Sequence, residues 1–125
     1  MKSGISLLSE EEGFGEEVER HNTYLVKLRF WLNQGDSVKW NAPWGLIDRA
    51  SLSDDGKTLT TDLRVDRESM FNGLFYGIQG MKIGGVRKLK ISPHLAYGES
   101  GIEGLIPPNA LIIVEVSVLE KRKFA

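Results

Sequence analysis

The chain has 125 residues, a formal net charge of −1 and no cysteine, with 41% hydrophobic and 26% charged residues. This length fits one domain over residues 1–125 with a core that needs neither disulfide nor metal. The lack of cysteine excludes thiol chemistry and suits a reducing cytoplasm, and the near-neutral charge gives no field that would attract nucleic acid or an anionic membrane. The N-terminal apolar stretch is too short for a secretory signal or a membrane span.

The first third of the chain predicts strands. Residues 3–8 alternate weakly, as in an edge strand, and residues 10–17 form an acidic, glycine-containing bend. From Tyr24 to Leu32 every second residue is apolar, which is typical of a half-buried strand. Turn residues at 33–36 then predict a reversal into a returning strand over Ser37–Trp40.

The region from Asn41 to Lys57 is punctuated by turn residues and predicts an extra hairpin. We expect Leu46–Leu52 to pair with Thr58–Val65. Two tryptophans, Trp40 and Trp44, lie at the base of this hairpin. Either they pack it onto the sheet, or they widen a surface that binds a partner.

A single helix is predicted after this hairpin. Asp66 is the expected N-cap and Glu68 favours the first turn of the helix dipole. Apolar residues recur at helical spacing at Met70, Phe71, Leu74, Phe75 and Ile78. The helix should end near Gly77 or Gly80.

Two further strands complete the prediction, over Val86–Ile91 and over Leu111–Leu119. The basic residues at 121–123 are expected in a solvated tail. Strands dominate and one helix interrupts them, so the predicted class is α+β, with a twisted antiparallel sheet wrapped around one short helix.

Polar catalytic groups are not arranged in any recognisable motif. His21 and His94 have no partners at metal-ligand spacing, so we expect both on the surface and no metal site. The glycines at 98, 101 and 104 are not followed by the Gly-Lys-Ser/Thr of a phosphate loop. No cofactor is therefore predicted.

The stretch from Leu89 to Pro108 is the most informative part of the chain. Aliphatic clusters flank a loop that contains several glycines and Tyr97, which predicts a small apolar pocket with one polar group. Rotation about the peptide bond before proline requires only such a pocket. Resonance makes the barrier about 18–20 kcal/mol, and removing water from the amide favours the twisted transition state.

The same stretch resembles the active-site region of the FKBP-type peptidyl-prolyl cis-trans isomerases. The resemblance is ordered and gap-free, and it is carried by the runs Ser92–Gly98, Gly101–Leu105 and Ile106–Ala110. It implies an FKBP-like fold in which the region at about residues 41–62 is an inserted hairpin. It also implies an isomerase that acts on X-Pro bonds of polypeptides.

The resemblance further implies roles for individual residues. Tyr97 matches the pocket tyrosine, whose hydroxyl donates to a substrate carbonyl. Ile106, after Leu105, lies where a backbone amide receives the substrate and an aliphatic side chain closes the pocket. We predict these two, Tyr97 and Ile106, as catalytic. Other apolar substrate-binding positions are Met70, Phe71, Ile102, Leu105 and Val114.

Ile102 stands where the family often has histidine and Val114 where it usually has phenylalanine, and four further positions depart from the family pattern. Leu28 stands in place of a tyrosine, Val38 of a phenylalanine, Lys39 of an aspartate and Leu74 of the pocket-floor tryptophan. Loss of aromatic walls predicts reduced isomerase activity, and Lys39 predicts weak macrolide binding. Trp40 is a substitute wall if the strand register slips.

Two functions therefore remain open. The first is an FKBP-type isomerase of reduced activity that also assists folding as a chaperone. The second is an FKBP-like module that binds a protein partner through the cleft or the tryptophan-bearing hairpin, with weak or no catalysis. Either protein is expected to be a monomer in the cytoplasm.

Overall fold

The computed structural model describes residues 2–33, 35–40 and 51–123. Its strands are β1 (Ile5–Glu11), β2 (Thr23–Leu32), β3 (Ser51–Leu52), β4 (Thr58–Arg64), β5 (Val86–Ile91) and β6 (Ile112–Arg122). They form one sheet in the order β1-β5-β6-β2-β4-β3, and every neighbouring pair is antiparallel. Within the described residues one α-helix, α1 (Asn72–Ile78), packs on this sheet, so the α+β prediction is confirmed.

The hydrophobic core lies between the inner face of the sheet and α1. Strands β2 and β6 alternate between buried and less buried residues, and their paired side chains put Phe30 opposite Val114 in the middle of the inner face. Gly73 brings the helix close to the sheet, since a Cβ there would lie 2.8 Å from the Leu95 carbonyl oxygen and would meet the Ile91 side chain. This close approach holds the start of α1 beside the loop that follows β5.

The helix is shorter than predicted. Phe71 is its N-cap residue and is extended (φ −68°, ψ 153°), so Met70 and Phe71 precede the helix rather than belonging to it. Asp66 does cap backbone groups, but those of an earlier turn, because its Oδ1 accepts hydrogen bonds from the Ser69 N–H at 2.8 Å and the Glu68 N–H at 3.1 Å. Asp66 is therefore not the N-cap of α1, and the predicted start of the helix is too early.

The predicted extra hairpin is present in part. Ser51 and Leu52 of β3 pair with β4, while residues 41–50, including Trp44, lie outside the described residues. Strand β4 also pairs with β2 over seven residues, so this half of the hairpin is an interior strand of the main sheet. The expected returning strand over residues 37–40 is reduced to a single bridge between Ser37 and Trp31, with the Val38 N–H donating to the Phe30 carbonyl at 2.9 Å.

The first and last strands of the chain, β1 and β6, both form ion pairs. β1 forms one edge of the sheet and continues into the acidic run, where Glu10 contacts Arg87 at 2.6 Å. The C-terminal basic residues do not begin a solvated tail at 121 as predicted, because β6 continues to Arg122. Arg122 contacts Asp62 at 2.9 Å and Glu120 at 2.6 Å.

No helix of the described residues is long and apolar enough to cross a membrane.

Candidate active site

The loop between β5 and β6 is folded by its own backbone hydrogen bonds. A short 3-10 turn over Pro93–Leu95 follows β5, and the Pro93 carbonyl accepts from the Gly98 N–H at 2.9 Å. The Tyr97 carbonyl then accepts from the Gly101 N–H at 2.9 Å, and the Gly98 carbonyl from the Asn109 N–H at 2.8 Å. These bonds on both sides of Tyr97 fix its backbone.

The remainder of this loop forms a tight hairpin, and we call residues 98–108 the flap. The N–H groups of Ile102 and Ile106 each donate to the carbonyl of the other at 2.8 Å, and the Leu105 N–H donates to the Ile102 carbonyl at 2.9 Å. The flap borders a cleft of about 510 Å³ that is lined by Ser100, Ile102, Glu103, Gly104, Leu105, Ile106, Pro107 and Pro108. Its side-chain lining is thus mainly aliphatic.

The hydrogen bonding of the flap bears on the predicted amide donor. The Ile106 N–H already donates to Ile102, so receiving a substrate carbonyl would require that bond to open. The Phe71 N–H, by contrast, donates to no acceptor within the described part of the chain. Phe71 is extended just before α1, so its N–H lies outside the helical hydrogen-bond ladder. Of the two amides, Phe71 is the one available to a ligand.

Tyr97 lies at the junction of the flap and the start of α1. Its ring centroid is 5.3 Å from that of Phe71, and both rings are half-buried against the core. Among the residues that the structure describes, none forms a hydrogen bond with the Tyr97 hydroxyl. Burial raises the pKa of Tyr97 well above its ordinary value, because desolvation disfavours the tyrosinate. The phenol is therefore a neutral hydrogen-bond donor at physiological pH.

A series of aromatic rings continues from Tyr97 into the core. The Phe71 ring lies 6.2 Å from that of Phe30, and Phe30 lies 5.2 Å from Trp40 in an edge-to-face arrangement. Trp40 is only 2% exposed, and its buried Nε1 has no hydrogen-bond partner in the part of the chain that the structure describes. We call Tyr97, Phe71, Phe30 and Trp40 the aromatic row. It gives one side of the site a rigid backing of aromatic rings.

The predicted site residues fall into two layers. The outer layer is half-buried or, for Lys39, exposed, and comprises Lys39, Phe71, Tyr97, Ile102 and Leu105. The inner layer is buried in the core and comprises Leu28, Val38, Met70, Leu74, Ile106 and Val114. Leu28, Leu74 and Val114 are 0% exposed, so they support the outer layer from below and offer no surface of their own.

Phe30 is the residue of this site that sequence reasoning did not identify. It had been assigned only to a strand, although it faces Val114, one of the positions where the family has an aromatic side chain and this chain has a smaller one. The sequence signal for the role of Phe30 was the space that the small side chains of Val114 and Leu28 leave in the site. Trp40 packs edge-to-face on Phe30, in a segment where the expected returning strand is reduced to the bridge between Ser37 and Trp31, and its role as a substitute wall stays a prediction.

The described residues contain no cluster of three or more His, Cys, Asp or Glu side chains able to hold a metal ion. The groups that the site offers are a phenol, a backbone N–H and apolar walls. A six-stranded sheet wrapped on a short helix, with a glycine-rich flap above a buried tyrosine, defines a protein of the prolyl isomerase class.

Comparison with known proteins agrees with this class. The family model for FKBP-type peptidyl-prolyl cis-trans isomerase matches residues 32–119. The chain belongs to this family. The prediction of an FKBP-type isomerase fold and family is thereby confirmed.

Individual relatives cover most of the chain. An FK506-binding protein of Neisseria meningitidis serogroup B is 34% identical over 117 residues, covering 94% of this chain and 95% of that protein. A peptidyl-prolyl cis-trans isomerase of Saccharomyces cerevisiae is 34% identical over 95 residues, covering 73% of this chain and 69% of that protein. The crystal structure of AtFKBP13 is similar with a TM-score of 0.69 at 25% identity, covering 96% of this chain and 94% of that one.

Proposed function

We propose that this protein catalyses cis-trans isomerisation of X-Pro bonds in polypeptide substrates, with the prolyl ring held between the flap and the aromatic row. The observation that carries the proposal is the contact of Tyr97 with Phe71, which puts an unpaired phenol and a half-buried aromatic face side by side. The apolar flap residues Ile102 and Leu105 line the cleft and are partly buried against the same core as these two rings.

The chemistry needs no acid, base or metal. A planar amide is stabilised in water because resonance separates its charge, and rotation removes that separation. When the prolyl ring enters an apolar site, the adjoining amide loses this water. The free-energy barrier to twisting the bond is then lower than in solution. Binding energy from residues on either side of the proline holds the twisted geometry.

Two donors are suited to orienting the substrate. The neutral Tyr97 hydroxyl donates to one substrate carbonyl, and the Phe71 N–H donates to a second. The ring contact brings these two residues together. Ile106 belongs to the flap and acts through its aliphatic side chain; the residue is 2% exposed. Its N–H remains bonded to the Ile102 carbonyl.

The rate is proposed to be modest. Leu28, Leu74 and Val114 are aliphatic at positions where the family has aromatic side chains, and all three are fully buried. The aromatic row backs the site from one side only, so the prolyl ring is gripped by fewer flat surfaces. A looser fit weakens the preorganisation on which acceleration depends. The family's acid position carries the exposed Lys39, which supports weak macrolide binding.

The test is the rate of cis-to-trans exchange of a short peptide with a Leu-Pro bond, followed by NMR exchange spectroscopy. Tyr97→Phe should lower kcat/KM about tenfold, equivalent to about 1.4 kcal/mol, by removing one hydrogen bond to the substrate. Tyr76→Phe is the matched control, because Tyr76 lies on α1 and its hydroxyl accepts from Arg67. This control should retain activity within about twofold.

The same assay separates the alternative, a protein-binding module without catalysis. Such a module would show peptide-induced amide shifts in the flap but no acceleration in the wild type or either variant. Full activity in Tyr97→Phe would instead show that the phenol is dispensable. Assistance to folding chains and a cytoplasmic location complete the proposal, and refolding of a proline-limited protein tests the first of these.

A further inference from the structure

The outer face of the sheet, on the side away from α1, carries a concentration of positive charge. Along β2, β5 and β6 the residues that alternate with the core point to this side. We call the following set the basic face: Lys27, Arg29, Trp31, Lys88, Lys90, Ile113 and Glu115. It contains four cations and one carboxylate, although the whole chain has a net charge of −1.

These charges are not neutralised locally. Pairing across the strands places Glu115 between Lys88 and Arg29, yet none of the three forms an ion pair with another described residue. Asp55, in the turn between β3 and β4, is held instead by Ser53, whose hydroxyl donates to it at 2.6 Å. The pKa of Asp55 is lowered mainly by that hydrogen bond, and the charge of Arg29 contributes least.

Trp31 organises the cations at the centre of the basic face. The Lys88 Nζ lies 4.5 Å from the centroid of its ring and the Arg29 guanidinium carbon lies 5.2 Å from it. Such contacts hold the two side chains over one ring and limit their freedom. Among the described residues, the buried Arg29 Nε has no hydrogen-bond acceptor. A buried, unpaired donor of this kind is costly, and a carboxylate that draws the guanidinium outward relieves the cost.

We infer that the basic face binds a short acidic segment of a partner polypeptide, with Asp or Glu carboxylates received by Arg29, Lys88 and Lys90. Neighbouring strands are about 4.8 Å apart and alternate residues about 6.8 Å apart, so the face spans three to five extended residues. Carboxylates suit this spacing, because alternate residues of an extended acidic segment lie on one side and present a charge about every 6.8 Å. Apolar contact with Ile113 adds a place for one hydrophobic side chain.

Charge and geometry favour an acidic peptide over a nucleic acid. The Trp31 ring is already covered by cations, which leaves less of it for base stacking. The face is also bounded at the β1 side by the carboxylate of Glu11, which pairs with Val86 across the strands. A long polyanion would be repelled at this side, whereas a short acidic segment ends before it.

This surface is independent of the proposed isomerase site. Phe30 belongs to the aromatic row on the inner face, and the adjacent Trp31 belongs to the basic face on the outer side of the same strand. An acidic partner therefore docks without covering the flap. Loss of this binding would leave isomerisation intact, and an inactive cleft would leave this binding intact.

The experiment measures binding of a fluorescein-labelled hexaglutamate peptide by fluorescence anisotropy at about 50 mM salt, where screening is weak. The full chain should bind, and the affinity should fall at least fivefold at about 500 mM salt. Lys88→Glu/Lys90→Glu should weaken binding at least tenfold. The control Lys121→Glu/Lys123→Glu has the same net charge change, lies outside the basic face and should change affinity less than twofold.

Three outcomes would overturn the inference. Equal weakening by both double variants would mean that only net charge matters. Binding of hexathymidylate as tight as that of the peptide would identify a nucleic-acid surface instead, and the absence of peptide binding at low salt would leave the face without this role. The milder Lys88→Gln/Lys90→Gln variant, which should still lose affinity about threefold, guards against misfolding of the charge-reversed protein. Circular dichroism verifies the fold of each variant.

Discussion

The flap and the aromatic row form two sides of one site, but different interactions fix their shapes. The flap is shaped by hydrogen bonds between residues close in sequence, such as the reciprocal pair between Ile102 and Ile106. The aromatic row is assembled from three separate parts of the chain, since Phe30 and Trp40 come from β2 and the segment after it, Phe71 precedes α1, and Tyr97 lies in the loop. The shape of the flap is therefore fixed by local hydrogen bonds, and that of the aromatic row by tertiary packing.

This difference explains which family features the chain keeps. A local hydrogen-bonded loop tolerates little change, because each bond constrains a particular residue. A packed wall tolerates exchange if the volume is conserved, so small side chains at Leu28, Leu74 and Val114 accompany large ones at Phe30 and Trp40. The site keeps aromatic side chains two residues further along the same segments, at Phe30 after Leu28 in β2 and at Trp40 after Val38. The comparison can be tested by damaging each side in turn.

The largest effect is expected from Trp40→Ala, which removes the largest ring system of the aromatic row. Deleting a tryptophan that is 2% exposed should lower the free energy of unfolding by about 3–5 kcal/mol, and Phe30 should lose its edge-to-face contact. Trp31→Ala is the control, since this tryptophan is only half-buried on the opposite face, and should cost about 1 kcal/mol. Urea titration compares the two, and equal losses would contradict the proposed backing role.

A smaller but sharper effect should follow from glycine substitution in the flap. Gly98 and Gly101 both have φ of +59°, so alanine at either position carries the same backbone strain of about 1–2 kcal/mol. At Gly101 a Cβ would also meet the Ile106 carbonyl and lie 2.8 Å from the Pro107 oxygen, whereas at Gly98 the nearest atom is 3.9 Å away.

Gly101→Ala should therefore cost about 2–3 kcal/mol of unfolding free energy, and Gly98→Ala only the strain common to both. Hydrogen exchange at the Ile102 and Ile106 amides, which are bonded to each other's carbonyls, reports whether the flap opens. Faster exchange in Gly101→Ala alone is expected. Similar exchange in both variants would mean that φ, and not the contact with Ile106, controls the flap.

Leu74→Trp tests whether the aromatic row has already filled the family's pocket floor. Leu74 is 0% exposed, so the larger ring has no free surface to occupy and should destabilise the protein by about 1–3 kcal/mol through overpacking. Thermal unfolding measures the cost. A variant that is as stable as the wild type and more active would show instead that the floor is vacant and that Phe30 and Trp40 do not replace it.

Sequence reasoning anticipated the local side of the site better than the packed side. The flap, Tyr97 and strand Val86–Ile91 follow from nearby glycines, prolines and alternation, and the observed strand has the predicted bounds. The role of Phe30 could not be read from its neighbours, because it depends on a facing residue 84 positions away, Val114. The helix start was misplaced because Asp66 caps an earlier turn, and a capping residue alone does not reveal which turn follows it.

The smallest expected effect is on the free energy of unfolding at alkaline pH. It probes the hydroxyl of Tyr97, the member of the aromatic row that directly precedes the flap. Because burial raises the pKa of Tyr97 in the folded state, the unfolded chain gives up this proton first, near the ordinary pKa of about 10. The stability that the buried phenol contributes is therefore present below pH 10 and is lost as pH rises from there towards the folded pKa. Tyr97→Phe has no proton to lose, so its unfolding free energy should fall less steeply with pH above 10 than that of the wild type. Urea titrations of the two proteins at a series of pH values measure the difference, and parallel curves would mean that the phenol is as solvated in the folded protein as in the unfolded chain.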